Sequence, residues 1–176
     1  PRTLQQAFTG LREMSLIMTP PADRISVQTY NISFDKIAIC EALTREKKRG
    51  GQSFFIVPRI SDIDEIKIFL AEKVPDLSFV IAHGQMGSST LEKNMEGFYL
   101  GNFDILLATT IAQSGLDIPS ANTIIIYNAD YYGLAQLYQL RGRVGRSKMR
   151  SYAYLVTKSG KNISEIALKR LKLVAS

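Results

Sequence analysis

The sequence predicts an α/β protein in which a mainly parallel sheet is covered by helices on both faces. From about Val27 onward, short apolar runs alternate with amphipathic helical segments. The strand candidates are apolar at successive positions, which is typical of strands buried on both faces of a parallel sheet. The chain has 176 residues, of which 45% are hydrophobic and 22% charged, as expected for one globular domain.

Six strand candidates follow one another along the chain, at residues 26–33, 53–57, 77–82, 104–109, 122–127 and 151–157. Helix candidates separate them, at residues 34–48, from Ser61 onward, from Ser89 onward, at 133–144 and at 162–174. The first helix ends in basic residues followed by Gly50, which suits the negative end of a helix and a left-handed cap. Ser89 and Glu92 have the spacing of a capping box at a helix start.

The chain is divided into three parts by this pattern. Residues 1–25 do not fit the alternation, and we expect an arm that links to an upstream region, since the chain lacks an initiator Met and looks cut from a longer protein. Residues 26–160 form the α/β domain, and residues 161–176 form a C-terminal helix. Ligands of parallel sheets bind at the carboxyl ends of the strands, so we expect function in the loops after Val57, Ala82, Thr109 and Tyr127.

Composition excludes several classes of protein. A lone Cys40 excludes an internal disulfide framework and indicates a reducing, cytoplasmic compartment. His83 is the single histidine of the chain. One histidine and one cysteine are too few for a zinc site, and one histidine does not make a nucleophile–base pair. No apolar run approaches the ~18 residues of a membrane span, and no signal peptide is apparent. The net charge of +6 and the pI near 9.5 suit a polyanionic partner.

The segment from Gln139 to Arg146 is the most informative one. On a helix, Gln139, Arg143 and Arg146 lie at i, i+4 and i+7 and project from one face. Gly142 and Gly145 each destabilise a helix interior by ~1 kcal/mol, so close approach of a backbone or a phosphate is the better explanation for them. The planar guanidinium matches phosphate oxygens and the charge that develops in phosphoryl transfer. The alternative is a solvated basic face.

Two further segments follow predicted strands. Thr109 and Thr110 bring hydroxyls and free N–H groups to a strand end, where they suit a phosphate backbone. Gly115 and Asp117 come next, and Asp117 either accepts hydrogen bonds from ribose hydroxyls or caps a loop.

The third segment is His83-Gly84-Gln85-Met86, where a glycine beside polar side chains suits contact with a nucleic-acid backbone; a structural role for His83 is the alternative. Five aromatic residues could stack on bases or pack in the core: Phe54, Phe55, Phe98, Tyr131 and Tyr132.

The chain contains no G-x-x-x-x-G-K-[ST] phosphate loop and no acidic box for magnesium. Finger-like arginines without a nucleotide cradle indicate one half of a two-part motor.

These segments, in this order, resemble the second RecA-like motor domain of superfamily 2 helicases and translocases. Gln139-x-x-Gly-Arg-x-Gly-Arg146 is similar to helicase motif VI, the Thr109–Asp117 segment to motif V and the Ser53–Val57 segment to motif IV. Residues 1–4 and 133–147 narrow the resemblance to the RecG-like group. Residues 9–24, 83–86 and 118–126 are most similar to a bacterial branch of that group that displaces stalled RNA polymerase so that DNA repair follows.

The resemblance implies a role for each matching residue. Arg143 and Arg146 would supply arginine fingers to ATP, which is held with Mg²⁺ by a first motor domain of the same parent chain. Further nucleotide contacts are implied for Gln139, Gly142, Gly115 and Asp117. Contacts to the double-stranded DNA backbone are implied for Thr109, Thr110, His83, Gly84 and Gln85. Ala112-Gln113-Ser114 departs from the Glu-Thr pair usual in relatives, which weakens any coupling role for Gln113.

The resemblance also implies partners and limits. RNA polymerase and repair proteins would bind through regions of the parent that are absent here, residues 161–176 would begin a translocation hairpin, and the chain alone would not hydrolyse ATP. Two alternatives remain, namely a RecG-like helicase acting on branched DNA and a non-catalytic RecA-like platform that binds nucleic acid.

Overall fold

A computed structural model describes residues 26–109, 117–158 and 160–176, and within them the strands form one parallel six-stranded sheet. The strands are β1 (Val27–Ser33), β2 (Gln52–Ile56), β3 (Phe79–Ala82), β4 (Ile105–Ala108), β5 (Ala121–Tyr127) and β6 (Ser151–Thr157). Their order across the sheet is β1-β6-β5-β2-β4-β3, and every neighbouring pair is parallel. The parallel sheet predicted from the sequence is confirmed.

The helices of the described residues are α1 (Lys36–Lys48), α2 (Ile63–Lys73), α3 (Ser88–Tyr99), α4 (Leu134–Arg141) and α5 (Glu165–Ala175). Buried side chains of α1 and α2 form one cluster with one face of the sheet. Those of α3, α4 and α5 form a second cluster with the opposite face. The sheet is therefore covered on both faces, as predicted.

Strand β2 shows why these strands are apolar at successive positions. Phe54 and Ile56 belong to the α3–α4–α5 cluster, whereas Phe55 and Val57 belong to the α1–α2 cluster. All four side chains are almost fully buried. Because neighbouring residues of a strand face opposite sides, a strand between two helical layers needs an apolar residue at every position.

Helix α1 has a cap at each end. At its start, the Asp35 carboxylate accepts hydrogen bonds from the N–H groups of Ile37 (2.9 Å) and Ala38 (3.2 Å). At its end, Gly50 has a φ of +83°, and its N–H donates to the carbonyl of Lys47. The glycine cap predicted for this helix is confirmed.

Two predicted helix starts are wrong. Helix α3 begins at Ser88, with Gly87 at the N-cap and no side-chain cap, so Ser89 and Glu92 form no capping box. Ser61 does not open α2, which begins at Ile63 after a 3₁₀ turn. That turn is held by Asp62, whose carboxylate accepts from the N–H of Arg59 (3.1 Å).

Helix α5 packs into the same core as the rest of the domain. Leu171 and Val174 are buried in the α3–α4–α5 cluster, and Arg141 Nη1 donates to the Val174 carbonyl at 2.6 Å. The helix predicted at the C-terminal end is therefore present and is anchored to α4. Its role as the start of a translocation hairpin stays a prediction, and the arm predicted at residues 1–25 lies outside the described residues.

A buried carboxylate joins α1 to the centre of the sheet. Glu46 is 1% exposed, and its Oε1 accepts from Arg49 Nη2 and from Thr123 Oγ1, both at 2.6 Å. Arg49 Nε donates to the other oxygen at 3.1 Å. The charge is paired and both oxygens are occupied, as a buried carboxylate requires.

Asp104 ties together three elements where β3 and β4 begin. Its carboxylate accepts from Lys47 Nζ at the end of α1 (2.7 Å) and from the N–H of Ser78 (2.9 Å). Burial by itself raises the pKa of Asp104, but the hydrogen bonds from Lys47 and Ser78 outweigh it, so that the pKa is lowered.

We expect Asp104→Asn to lower the free energy of unfolding by about 1–2 kcal/mol at pH 7, because the amide replaces a charged acceptor. A lowered pKa stabilises the fold above the ordinary carboxyl pKa of about 4, and this stabilisation is lost as the pH falls through the folded value. The difference between variant and wild type should therefore shrink at pH 2–3. Urea unfolding at both pH values checks this, and an equal loss at both would contradict it.

Candidate nucleotide and nucleic-acid sites

Helix α4 carries only the first residue of the predicted arginine face. It starts at Leu134, with Gln136 Oε1 accepting from the N–H of Gly133 (2.9 Å), and ends at Arg141. Gly142 follows as its C-cap, and the N–H of Arg143 donates to the Leu140 carbonyl in a tightened turn. Gln139 is therefore helical, whereas Arg143 and Arg146 lie in the loop beyond. The prediction that all three project from one helical face is wrong.

The two glycines of this segment have structural reasons of their own. Gly145 has a φ of +84°, and a Cβ there would lie 2.8 Å from Val27 Cγ2. A Cβ on Gly142 would lie 3.2 Å from the carbonyl oxygen of Tyr138. The positive φ and the contact with Val27 account for Gly145, whereas at Gly142 the contact with the preceding helical turn is only tight. A nucleotide contact at Gly142 stays a prediction.

The structure brings Arg146 and Asp117 together. Arg146 Nη1 lies 3.3 Å from Asp117 Oδ1, and Arg146 Nε donates to the Gly142 carbonyl at 3.1 Å. The two charged side chains are 41% and 61% exposed, respectively. Ion pairs with this exposure contribute about 0–1 kcal/mol, so the guanidinium can leave Asp117 at little cost. We call Gly142, Arg146 and Asp117 the arginine cluster.

The arginine cluster lies at the amino edge of the sheet, where the strands begin. Asp117 precedes β5, and Arg146 precedes β6. The cluster therefore lies outside the loops after the strands, where function was expected. The physical reason is that α4 runs back across the sheet, so the loop at its end reaches the edge where β6 starts.

The remaining polar candidates lie at the opposite, carboxyl edge. His83, Gly84 and Gln85 follow β3, and Thr109 follows β4, with its N–H donating to the Ala82 carbonyl at 3.3 Å. The N–H of Gln85 donates to His83 Nδ1 at 3.2 Å, which closes the turn. Gly84 and Gln85 are exposed, and His83 and Thr109 are half-buried. Thr110, Gln113 and Gly115 lie outside the described residues.

The aromatic candidates divide between core and surface. Phe54, Phe55, Phe98 and Tyr132 are buried, whereas Tyr131 is 46% exposed. The Tyr131 ring lies between Arg59 (Cζ 4.9 Å from the centroid) and Lys161 (Nζ 3.9 Å). Burial, with a smaller contribution from the charge of Asp62, raises the pKa of Tyr132 above its usual range, so its hydroxyl stays neutral.

The loop from Gly142 to Arg150, between α4 and β6, is called the arginine loop. Sequence reasoning missed the polar residues that hold it. Asn122 is 1% exposed at the start of β5, and its Oδ1 accepts from the hydroxyls of Ser147 (2.9 Å) and Ser151 (3.3 Å). The available signal was an asparagine opening an otherwise apolar strand, since a buried amide needs several partners.

Neither metal nor thiol chemistry has support in the residues that the structure describes. Among them, no group of three or more His, Cys, Asp or Glu side chains could hold a metal ion. Cys40 lies half-buried on α1, and burial raises the pKa of its thiol, which opposes activation as a nucleophile. In the same residues, no helix has both the length and the apolarity to cross a membrane.

The helicase conserved C-terminal domain family matches residues 35–148, and the chain belongs to this family. Among curated proteins, it is 53% identical over 174 residues to the transcription-repair-coupling factor of Rickettsia typhi and 47% identical over 176 residues to that of Escherichia coli (strain K12). These alignments cover 99% and 100% of this chain but only 16% and 15% of the relatives. The resemblance to this branch of the RecG-like group, which the sequence predicted, is confirmed.

A solved structure of RecG bound to a three-way DNA junction superimposes with a TM-score of 0.74 at 34% identity. The match covers 93% of this chain and 23% of that one. The RecA-like helicase fold is therefore supported by sequence and by structure.

We expect Gly145→Ala to destabilise the domain more than Gly101→Ala. Both glycines have a positive φ, which costs an L-residue about 1–2 kcal/mol, but only the Cβ at Gly145 would meet another residue. Urea unfolding compares the two variants. Adding Val27→Ala to Gly145→Ala should recover part of the difference, and equal losses in the two single variants would contradict the packing argument.

Proposed function

We propose that this chain is the second motor domain of an ATP-dependent double-stranded DNA translocase that displaces stalled RNA polymerase and couples transcription to nucleotide excision repair. The observation that carries the proposal is the pairing of Arg146 with Asp117. Both residues match nucleotide-contact positions of the helicase motifs, and they come from segments 29 residues apart. The resemblance to transcription-repair-coupling factors supplies the particular role.

In this proposal, ATP and its Mg²⁺ are held by a first motor domain and face the amino edge of this one. Asp117 accepts from the ribose hydroxyls, with Gly115, Gln139 and Gly142 as further nucleotide contacts. Arg143 and Arg146 then stabilise the negative charge that develops on the transferring phosphoryl group. Catalysis of this kind depends on positioned positive charge, and arginine keeps its charge at every physiological pH.

The exposed ion pair suits a finger that changes partner. In the structure, Arg146 is held by Asp117 and by the carbonyl of Gly142. Hydrogen bonds between a guanidinium and phosphate are charge-assisted and stronger than an exposed carboxylate pair. Binding of ATP would therefore draw the guanidinium to the phosphates and leave Asp117 for the ribose.

We propose the carboxyl edge as the surface that contacts the DNA backbone. The polar groups there include Thr109, His83, Gly84 and Gln85, with Thr110 as a further contact predicted from the sequence. The exposed backbone of Gly84 leaves open space for a phosphate, since a Cβ there would meet nothing within 4 Å. DNA and nucleotide would thus bind at opposite edges of one sheet.

We expect Arg146→Ala to lower DNA-stimulated ATP turnover by ~10³–10⁵ in the native protein that contains both motor domains, because arginine fingers contribute this much in other phosphoryl-transfer enzymes. Binding of ATP and the melting temperature should change little. Arg150→Ala is the matched control, since Arg150 is exposed in the same loop. The chain of 176 residues alone serves as the blank and should show no turnover.

Normal turnover of Arg146→Ala would remove this residue from the mechanism and favour a non-catalytic nucleic-acid-binding platform.

We expect the double substitution His83→Ala/Gln85→Ala to weaken DNA binding to a similar degree for all sequences, because backbone contacts carry no sequence information. Affinity of the native protein for duplex DNA should fall steeply with salt, as it does for phosphate contacts. Asn102→Ala, an exposed polar residue just before β4, is the control. Fluorescence anisotropy at several salt concentrations measures this, and unchanged affinity of the double variant would count against the carboxyl edge.

The structural match to RecG on a three-way junction favours a second candidate, a helicase that acts on branched DNA. Release of a stalled RNA polymerase by the native protein, compared with unwinding of a three-way junction, separates the two roles. Junction unwinding without polymerase release would support the second candidate.

A further inference from the structure

We infer that Asn122 is a positioning residue for Arg146. Its buried amide holds the backbone that follows the arginine, although it reaches neither Arg146 nor the proposed nucleotide position itself. This inference rests on the proposed function, because it concerns how the finger of that same site is held.

Both the oxygen and the nitrogen of the Asn122 side-chain amide form hydrogen bonds. The oxygen accepts from Ser147 Oγ (2.9 Å) and Ser151 Oγ (3.3 Å), and Nδ2 donates to the Ser120 carbonyl (3.3 Å). Ser151 is 0% exposed and Asn122 is 1% exposed, so water does not replace these partners. The amide therefore links three points, namely the turn before β5, the arginine loop and the start of β6.

Ser147 connects the Asn122 amide to the backbone next to Arg146. Its hydroxyl donates to Asn122 and also accepts from the N–H of Met149 (3.2 Å), so its rotamer is set from two sides. On the other side of Arg146, Gly145 is buried and packs against Val27. The backbone is thus fixed immediately before and after Arg146, while the side chain of the finger remains free to exchange Asp117 for a phosphate.

Asparagine is the residue type that this position requires. Alanine would remove the acceptor of the half-buried Ser147 hydroxyl and would leave the buried Ser151 hydroxyl with only the distant Met149 carbonyl (3.5 Å). Aspartate would keep the acceptor but lose the donor to Ser120 and add a buried charge without a cation. In either variant the loop would lose its fixed position, and a displacement of about 1 Å in a catalytic group can cost 10²-fold in rate.

The test is a double-mutant cycle in the native protein that contains both motor domains. We expect Asn122→Ala to lower kcat for DNA-stimulated ATP hydrolysis by ~10–100-fold and to leave KM for ATP nearly unchanged. Ser147→Ala should reproduce this loss. In an Arg146→Ala background, Asn122→Ala should cause no further loss, because it acts only through the finger.

The matched control is Thr123→Val, which removes a buried hydrogen bond from the next residue of β5. Thr123 binds Glu46 on the other face of the sheet, so this variant should lose stability without a specific loss of kcat. A loss caused by general destabilisation would appear in both variants, and melting temperatures of the 176-residue chain allow the comparison.

The outcomes separate the inference from the proposed function. If Arg146→Ala leaves turnover unchanged, the proposed function fails and the inference fails with it. If Arg146→Ala is defective but Asn122→Ala and Ser147→Ala have normal kcat, only the inference is overturned. Multiplicative losses in the double variant would also overturn it. Should Asn122→Ala fail to fold, Ser147→Ala alone decides, since Ser147 is only half-buried in the same network.

Discussion

The common direction of the six strands is the constraint on which the arrangement of this domain depends. In a parallel sheet, every segment that follows a strand lies at one edge, and every segment that precedes a strand lies at the other. His83 and Thr109 follow strands, whereas Asp117 and Arg146 precede them. Two sets of polar residues are thereby sorted onto opposite edges. In the proposed function, the separation of the DNA and nucleotide sites follows from this topology.

Buried polar side chains lie at both edges of the sheet. At the amino edge, buried polar side chains connect neighbouring segments: Gln52 donates to the carbonyls of Phe98 and Phe103, and Asn122 binds both serines near Arg146. At the carboxyl edge, Asn128 is buried with a left-handed backbone, and its Oδ1 has no protein partner. Fixed loops suit charge stabilisation, which requires donors in place before the reaction.

Much of the fold was predictable because it depends on local patterns. Apolar residues at successive positions identify strands buried on both faces, and basic residues before Gly50 mark the end of α1. The capping box at Ser89 was wrong because a match in spacing does not establish where a helix begins. The prediction of a helix through Arg146 was wrong, because the helical spacing of 3.6 residues was extended past Gly142, the C-cap of α4, and past Gly145.

The candidate site was predictable only as a set of residue types. The arginines were found from their chemistry, and their resemblance to helicase motifs named the segments. Their meeting with Asp117, the contact of Gly145 with Val27 and the anchor at Asn122 all join residues distant in sequence. No period or spacing in the chain contains that information, because it arises when β1, β5 and β6 lie side by side.

The position of β1 has a consequence for the order of folding. This strand is the first of the described residues, yet it pairs only with β6, the last strand, through a register from Val27 opposite Ser151 to Ser33 opposite Thr157. Contacts between such distant residues form slowly, because a long loop must close first. During synthesis, β1 therefore has no pairing strand among the described residues until β6 leaves the ribosome. The turn at Gly145, which contacts Val27, is completed only then, so the amino edge beside Arg146 is assembled after the rest of the sheet.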